Sequence, residues 1–337
     1  MRNTGPEKHL EIVISIINYR TAELTIACVQ SVLDDLSGIA ARIVVVDNNS
    51  GDGSARVIAD WIGTLPADAP VSLILSPTNS GFSGGHNQGI GAHRADYYLV
   101  LNSDAILRPG CLAALLETAR SKPDIGLFAP RLEYDDGTRQ TSCFRFPSPL
   151  SEVIRGACSG PVTKLLKRYD IPLDMPPAPD QIDWASFACI MLSGRMIDAL
   201  GTLDQGYFMY FEDIEYCWRA RKAGWRIIYV PQARAVHYRG GSGPVQQGVR
   251  ENARLPAYYY ASRTRFFYQA YSRVGVFAAN GCWLLGRSFA NLRRLVGKPV
   301  PKTNQSEPKD IWTNALSPLG DWRAEGNEQG QLTNGTS

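Results

Sequence analysis

The chain has no run of eighteen apolar residues, and its first residues, MRNTGPEKHL, contain no apolar h-region, so the sequence predicts neither a spanning helix nor a signal peptide. Histidine is scarce, at four, and the seven cysteines (Cys28, Cys111, Cys143, Cys158, Cys189, Cys217, Cys282) are scattered, without a CxxC pair. That pattern indicates neither a zinc site nor a disulfide frame; it points to a reducing compartment and a cytoplasmic protein. Neither GxGxxG nor GxxxxGK[ST] occurs, which removes the dinucleotide fingerprint and the P-loop, and no internal repeat is visible. A large excess of one charge sign is lacking as well, 35 Lys and Arg standing against 32 Asp and Glu for a net of +3. What is there is 337 residues, 44% hydrophobic and 20% charged, enough for one large folded domain or two smaller ones.

The amino-terminal half alternates short β-rich runs with helical patterns. Residues 11–17, 42–47, 71–76 and 97–101 are nearly continuous in apolar side chains, as strands buried on both faces must be. Helical segments between them (21–36, 54–62, 83–94) imply βαβ units and a parallel sheet, whose ligands bind at the carboxyl ends of the strands. The loops leaving those ends are polar or glycine-rich: Asn18-Tyr-Arg, Asp47-Asn-Asn-Ser-Gly-Asp-Gly-Ser, the stretch from Ser76 to Asn87, and Asn102-Ser-Asp104. A strand pair, 126–134 with 139–146, is expected around Asp135-Asp-Gly137, then an irregular, insertion-like loop over 147–179 and a strand in 182–193. Residues 258–296 are helical in composition, and the tail after Pro299 is low in apolar content and expected to be partly disordered.

Several residues invite chemistry. Glu212 and Asp213 are adjacent carboxylates where a helix begins after an aromatic run, Tyr207 to Phe211; acids in a first turn also serve as plain macrodipole partners. Asp47 ends a buried strand and can accept the N3–H of a pyrimidine, although turn chemistry explains it equally. Residues 79–91 offer backbone donors at a helix start, which suits a nucleotide. Asp104 stands where a divalent cation would bridge it to a diphosphate, the sparse ligation Mg²⁺ prefers, while Asx turns after strands are common. His237 follows strand-like residues 226–236 and offers a neutral imidazole to the same ion, or a structural histidine.

The ordered motifs VISIINYR, VVVDNNSGDGS, NSGFSGGHNQGIG, YLVLNSD, DWASFACIMLSGRM, LDQGYFMYFEDIEYCWRARKAGW and VHYRGG resemble family 2 glycosyltransferases, most closely their bacterial rhamnosyltransferase-like branch, over residues 11–241. The resemblance implies an α/β GT-A fold, with a mostly parallel central sheet flanked by helices and a C-terminal helical extension. It implies a glycosyltransferase domain over 8–245, split into a nucleotide-binding half (8–104) and an acceptor and catalytic half (105–245), then a basic aromatic extension (246–298) and the tail (299–337). Asp213 would be the catalytic base, with Glu212 as the fallback. Asn18, Asp47, Asn79, Gly84, Asn87, Asn102, Ser103 and Trp184 would bind the nucleotide sugar, and Asp104 and His237 would hold Mg²⁺ or Mn²⁺. Asn102 departs from the first aspartate of the DxD pattern. The donor would be dTDP-rhamnose in preference to a UDP-sugar, and the acceptor a glycan or a polyprenyl-diphosphate-linked sugar.

From Arg219 to Lys298 there are fifteen Arg or Lys against one acid, Glu251, interleaved after Tyr258 with aromatic residues. This composition suits a membrane surface on the inner face of the cytoplasmic membrane, or helices that pack on the core with their arginines solvated. No recognition motif accompanies the charge, so nucleic acid is not an expected partner. Two rival readings share the architecture: a sugar nucleotidyltransferase, which would carry a glycine-rich basic loop where this chain has Asn18-Tyr-Arg-Thr-Ala, and a catalytically silent carbohydrate-binding protein.

Overall fold

Apolar runs too short for helices and bounded by turn residues become the inner strands of one sheet. A computed structural model describes residues 9–178, 180–238, 244–297 and 299–320. Along the chain, β1 (Leu10–Asn18), α1 (Ala22–Asp35), β2 (Ala41–Asp47), α2 (Ser54–Ile62), β3 (Val71–Leu75), α3 (Gly81–Gly91) and β4 (Ala95–Asn102) alternate. There follow β5 (Ala105–Leu107), α4 (Cys111–Ser121), β6 (Ile125–Glu133), β7 (Cys143–Phe144), α5 (Pro149–Ala157), α6 (Gly160–Leu165), β8 (Trp184–Ala185), β9 (Cys189–Ser193), α7 (Gly194–Leu200), α8 (Glu212–Lys222) and β10 (Arg226–His237). The chain then forms α9 (Pro244–Glu251), α10 (Ala257–Leu292) and α11 (Glu307–Asp310).

Eight strands pair in the order β3-β2-β1-β4-β9-β6-β10-β5. The first four are parallel, as are β6 and β10; β9 runs antiparallel to β4 and β6, and β5 antiparallel to β10. The alternation in the amino-terminal half thus gives the expected parallel block. Its register sets Asn18 opposite Asp47 and Ile17 opposite Asn102, so the polar tips of β1, β2 and β4 end at one level. Ile14, Ile16, Val45, Leu99 and Leu101 are fully buried on one face of the sheet, and Val13, Val44, Val46 and Val100 on the other.

Two expectations are corrected. The strand expected over 139–146 is only a bridge, Glu133 to Arg139, plus β7, which pairs with β8 instead of β6. Residues 147–179 are not a structureless loop. Ser148 caps α5, its hydroxyl accepting from Ser151 N at 3.2 Å, with Pro149 in the first turn, and α6 follows. The short helices carry too few periodic residues to stand out among prolines. As for the tail, residues 299–320 lie against α10, Ile311 being fully buried and Asn280 Nδ2 donating to its carbonyl at 3.0 Å, while 321–337 lie outside the described residues.

α10 bends at Ser272, whose φ of 64° is left-handed. Beyond the bend it crosses α5 in backbone contact: a Cβ on Gly286 would meet Val153 O at 2.4 Å, and one on Gly156 would meet Trp283 O at 2.2 Å. Before the bend it carries Arg263, 2% exposed, which donates to Glu152 at 2.9 Å and to Asn280 at 2.7 Å and covers the Phe267 ring. Arg155 joins Glu152 at 2.7 Å and also pairs with Glu307, which ties the segment after residue 299 into the same cluster. A buried pair contributes little net, yet removing one partner strands the other charge. Glu152→Ala should therefore destabilise the chain by about 3–5 kcal/mol in urea denaturation, and the double replacement Glu152→Met with Arg263→Met by much less.

Candidate active site

At the tip of β1 the Asn18 side chain is completely buried. Its amide donates to Asp47 (2.7 Å), Ser50 (3.1 Å) and Ser54 (2.9 Å), and its carbonyl accepts from Thr21 and Thr25, so it welds β1, β2, α1 and α2 at one level. Asp47 is held in place by that amide and by Ser50, whose hydroxyl donates to Oδ1 at 2.6 Å and whose N–H donates to Oδ2 at 3.1 Å. Asn48, which residue pattern did not single out, organises the neighbouring loop: it donates to Asn79 Oδ1 and Gly81 O and accepts from Ser80 N and Oγ. The Asn-Asn pair after a buried strand was its available signal.

The glycine-rich stretch is helix α3 rather than an open cradle. Cβ atoms on Gly85 and Gly89 would meet Ile17 Cδ1 at 2.8 Å and Ser15 Oγ at 2.2 Å, so these glycines let α3 lie close on β1. Gly84 sits under the Ser80 side chain. Asn87 makes a two-way clamp to the backbone of Leu203, at 2.8 and 3.0 Å. His86 is a core residue, bonded to Ser15 at 2.9 Å and pushed down to about 3 by burial, hence neutral. Asn18, Gly84 and Asn87 thus face the framework, whereas Asn79 is partly exposed with its Oδ1 accepting from Asn48 and Gly81 N.

At the tip of β4, Asn102 is half-buried, Ser103 shares a hydrogen bond with Thr21 at 3.2 Å, and Asp104 is 1% exposed. β5 starts at the next residue and pairs with the end of β10, setting Ala105 opposite His237. His237 Nε2 is consequently 3.5 Å from Asp104 Oδ1, the backbone on either side being fixed by Gln140 Nε2 donating to His237 O (2.7 Å) and Tyr238 N to Asp104 O (3.0 Å). The donor set fits a divalent cation: a buried carboxylate beside a buried imidazole whose Nδ1 has no hydrogen-bond partner among the described residues. No group of three or more His, Cys, Asp or Glu stands ready among the described residues, so an ion held here would take its other ligands from phosphate and water.

α8 begins after two consecutive left-handed residues, Tyr210 (φ 70°) and Phe211 (φ 69°). For bulky side chains that conformation costs on the order of 1–3 kcal/mol each. Aromatic packing from α10 holds it, with Tyr259 5.7 Å from both rings and Phe266 6.0 Å from Phe211. The helix confirms its expected pattern, Glu215 pairing with Arg219 at 2.9 Å. Glu212 is buried and raised well above the usual carboxylate range, by desolvation first and the Asp213 charge second, and its Oε2 has no hydrogen-bond partner among the described residues. Asp213 is half-buried and pushed up to about 7 by desolvation, opposed by N–H groups of Ile214 and Phe187. Both carboxyls are thus held above the ordinary range, Glu212 by burial and its neighbour's charge and Asp213 by burial.

Phe187 and Ala188 bring the two clusters together. The Phe187 N–H is directed at Asp213, and the next residue's carbonyl accepts from Asn102 N at 2.9 Å. Asp213 is thereby tied, through two consecutive residues, to the loop that presents Asp104 and His237. Because these are backbone groups, residue type gave no sign of them. Trp184 lies on the same segment, stacked on Phe144 at 4.2 Å with its Nε1 donating to Arg145 O at 2.9 Å. A separate cavity of about 280 Å³ opens at the amino end of β4 between Arg94, Asp96 and Arg195, and none of the candidate residues lines it.

Comparison with known proteins gives this geometry a context. The family model described as Glycosyl transferase family 2 matches residues 12–166. The N-acetylglucosaminyl-diphospho-decaprenol L-rhamnosyltransferase of Mycobacterium tuberculosis is 27% identical over 216 residues, covering 59% of this chain and 67% of that protein. Rhamnosyltransferase WbbL of Escherichia coli is 30% identical over 146 residues, 42% of this chain and 52% of its own. Among solved structures, the mannosyltransferase PcManGT from Pyrobaculum calidifontis, in complex with GDP-Man and Mn²⁺, superposes with a TM-score of 0.56 at 13% identity, over 97% of this chain and 89% of that one, a likeness of fold. Residues 12–166 carry a glycosyl transferase family 2 domain, and the chain is a glycosyltransferase on the GT-A fold.

Proposed function

We propose that this chain moves a sugar, rhamnose in preference to others, from a nucleotide diphosphate donor to a hydroxyl of a lipid-linked or growing glycan acceptor, with inversion at the anomeric carbon. The observation that carries the reading is Asp213, a half-buried carboxylate pushed up to about 7 and tethered by Phe187 and Ala188 to the tip of β4. An inverting transfer needs one base, positioned on the acceptor side and ionised near neutral pH. Asp213 would take the acceptor hydroxyl's proton as that oxygen attacks. Glu212, a buried carboxyl raised by desolvation and then by the Asp213 charge, would be the fallback base.

Asp47 would receive the pyrimidine N3–H on Oδ2, and the half-exposed Asn79 and Asn102 with the buried Ser103 would line the path from base to sugar, with Trp184 shaping the sugar and acceptor side. Asn18, Gly84 and Asn87 would act by holding that frame. Asp104 and His237 would hold Mg²⁺ or Mn²⁺, which when bound would neutralise charge on the departing diphosphate. Support for the donor and acceptor comes from the names of the Mycobacterium tuberculosis and Escherichia coli relatives. Support for a divalent ion comes from the Pyrobaculum calidifontis mannosyltransferase, solved in complex with GDP-Man and Mn²⁺. A cell-surface glycan pathway at the inner face of the cytoplasmic membrane fits a decaprenol-linked acceptor of the kind named in the first relative.

Asp213→Asn should retain donor binding and lose about 10²- to 10⁴-fold in kcat in a radiolabelled transfer assay, and near-normal turnover would remove Asp213 from the role of base. In the unaltered enzyme the acid limb of the kcat profile should turn near pH 7, because the base must be ionised. Stability should move the other way. Asp213 binds its proton more tightly folded than unfolded, so its contribution falls as pH rises from about 4 to about 7. Asp213→Asn should accordingly raise Tm at pH 8 and hardly at pH 4.5, measured by calorimetry on metal-free protein. For the metal pair, His237→Ala should weaken Mn²⁺ binding in calorimetric titrations with dTDP present by more than tenfold while leaving metal-free dTDP binding within about twofold.

A further inference from the structure

α10 is a surface helix with two opposed apolar faces. One is buried: Val276 and Ala279 pack with Phe266 and Phe267, Trp283 with Tyr260 and Ile311, and Gly286 lies against α5. The opposite one is open: Val274, Phe277, Leu285, Phe289, Leu292 and the following Leu295 recur at helical spacing, with Val274 76% and Leu295 82% exposed. A helix that has already buried one face has no reason within its own fold to keep a second apolar stripe in water. The patch continues onto the segment after α11, where Trp312 meets the Phe277 ring at 5.9 Å and Leu316 and Leu319 are exposed.

The charge around the stripe identifies its occupant. No acidic residue lies between Asn252 and Ser306, whereas Arg273, Arg287, Arg293 and Arg294 flank the stripe and Lys302 and Lys309 are exposed nearby. Arg273 and Arg287 donate to backbone carbonyls of Leu316, Gly156 and Pro301 and have no carboxylate partner among the described residues. A second copy of this face would bring like charges together. Among the described residues no helix is long and apolar enough to cross a membrane, so the stripe is built to lie on a surface.

We propose that the outer face of α10, from Val274 to Leu295, seats the protein on an anionic lipid bilayer, its leucines and phenylalanines entering the headgroup region and its arginines meeting lipid phosphates. The first turns of the same helix hold Tyr210 and Phe211, just ahead of Glu212 and Asp213, through Tyr259. The seat and the candidate acceptor side are therefore ends of one element, which deepens the lipid-linked acceptor reading and rests on it for its purpose, though not for its test.

The test is co-sedimentation of the full chain with vesicles of phosphatidylcholine alone or mixed with phosphatidylglycerol, at low and high salt, beside analytical ultracentrifugation without lipid. The expected result is binding to the anionic vesicles at least tenfold tighter than to the zwitterionic ones and weakened by salt. The pair Leu285→Glu with Phe289→Glu should lose it at least tenfold with unchanged Tm and unchanged dTDP binding, both positions being exposed. Arg294→Gln should weaken it severalfold through charge alone. Equal binding by the Leu285→Glu, Phe289→Glu protein, or a lipid-indifferent dimer that this pair dissociates, would overturn the proposal. Vesicle binding without any sugar transfer would instead count against the enzymatic reading and leave the membrane seat standing.

Discussion

The candidate site depends on one backbone constraint, the two hydrogen-bonding directions of Phe187 and Ala188. Phe187 and Ala188 form a turn between β8 and β9, so consecutive backbone groups can serve opposite sides. Here one N–H reaches Asp213 at the head of α8, and the next carbonyl takes the N–H of Asn102 at the tip of β4. The residues that bear charge come from distant parts of the sequence, and each is fixed locally: Asp47 by Asn18 and Ser50, Asp104 and His237 by the β5–β10 pairing, Asp213 by its helix. The 187–188 segment links the acid at position 213 to the tip of β4 through its backbone. Its side chains, Phe187 and Ala188, are nearly fully buried, which keeps the strap rigid.

A second dependence follows from the raised proton affinity at position 213. A carboxylate at a helix start would ordinarily be held ionised by the macrodipole and by free N–H groups. At Asp213 those same N–H groups act, yet desolvation outweighs them. The desolvation arises because Tyr210 and Phe211 take left-handed backbone and turn the head of α8 inward, and that costly turn persists because Tyr259 and Phe266 pack on it. The aromatic density of α10 thus has a direct chemical consequence at the other end of the contact.

The strand runs of the amino-terminal half and the helix at 212–222 were legible because periodicity and burial on both faces are local properties. So was the carboxyl-end placement of Asp47 and Asp104, which parallel topology dictates. Less legible was what each polar side chain does there. Asn18 and Asn87 look like ligands because asparagine in a loop after a strand has four hydrogen-bonding possibilities, but tertiary contacts engage them on Ser50, Ser54 and the Leu203 backbone. The glycines of α3 look like a phosphate cradle and are required for contact with Ser15 and Ile17. α5 escaped notice because its cap, Ser148-Pro149, lies inside a proline-rich stretch, and its stability comes from α10, more than a hundred residues away.

The carboxy-terminal region shows why composition alone left two readings open. Packing on the core and meeting a membrane exclude each other only for a helix with one apolar face. α10 has two, and its arginines divide accordingly. Arg263 and Arg265 point inward, to Glu152 and to Asp204 at 3.1 Å, and pin the helix to α5 and to the loop ahead of α8. Arg273, Arg287 and Arg294 lie beyond the bend at Ser272, where no carboxylate among the described residues answers them. The bend separates the two tasks: before it the helix braces the aromatic turn ahead of Asp213, and after it the outer stripe is free of the core. A straight amphipathic helix of this length would have to present one face to both, and the left-handed Ser272 lets each half take the orientation its own contacts require.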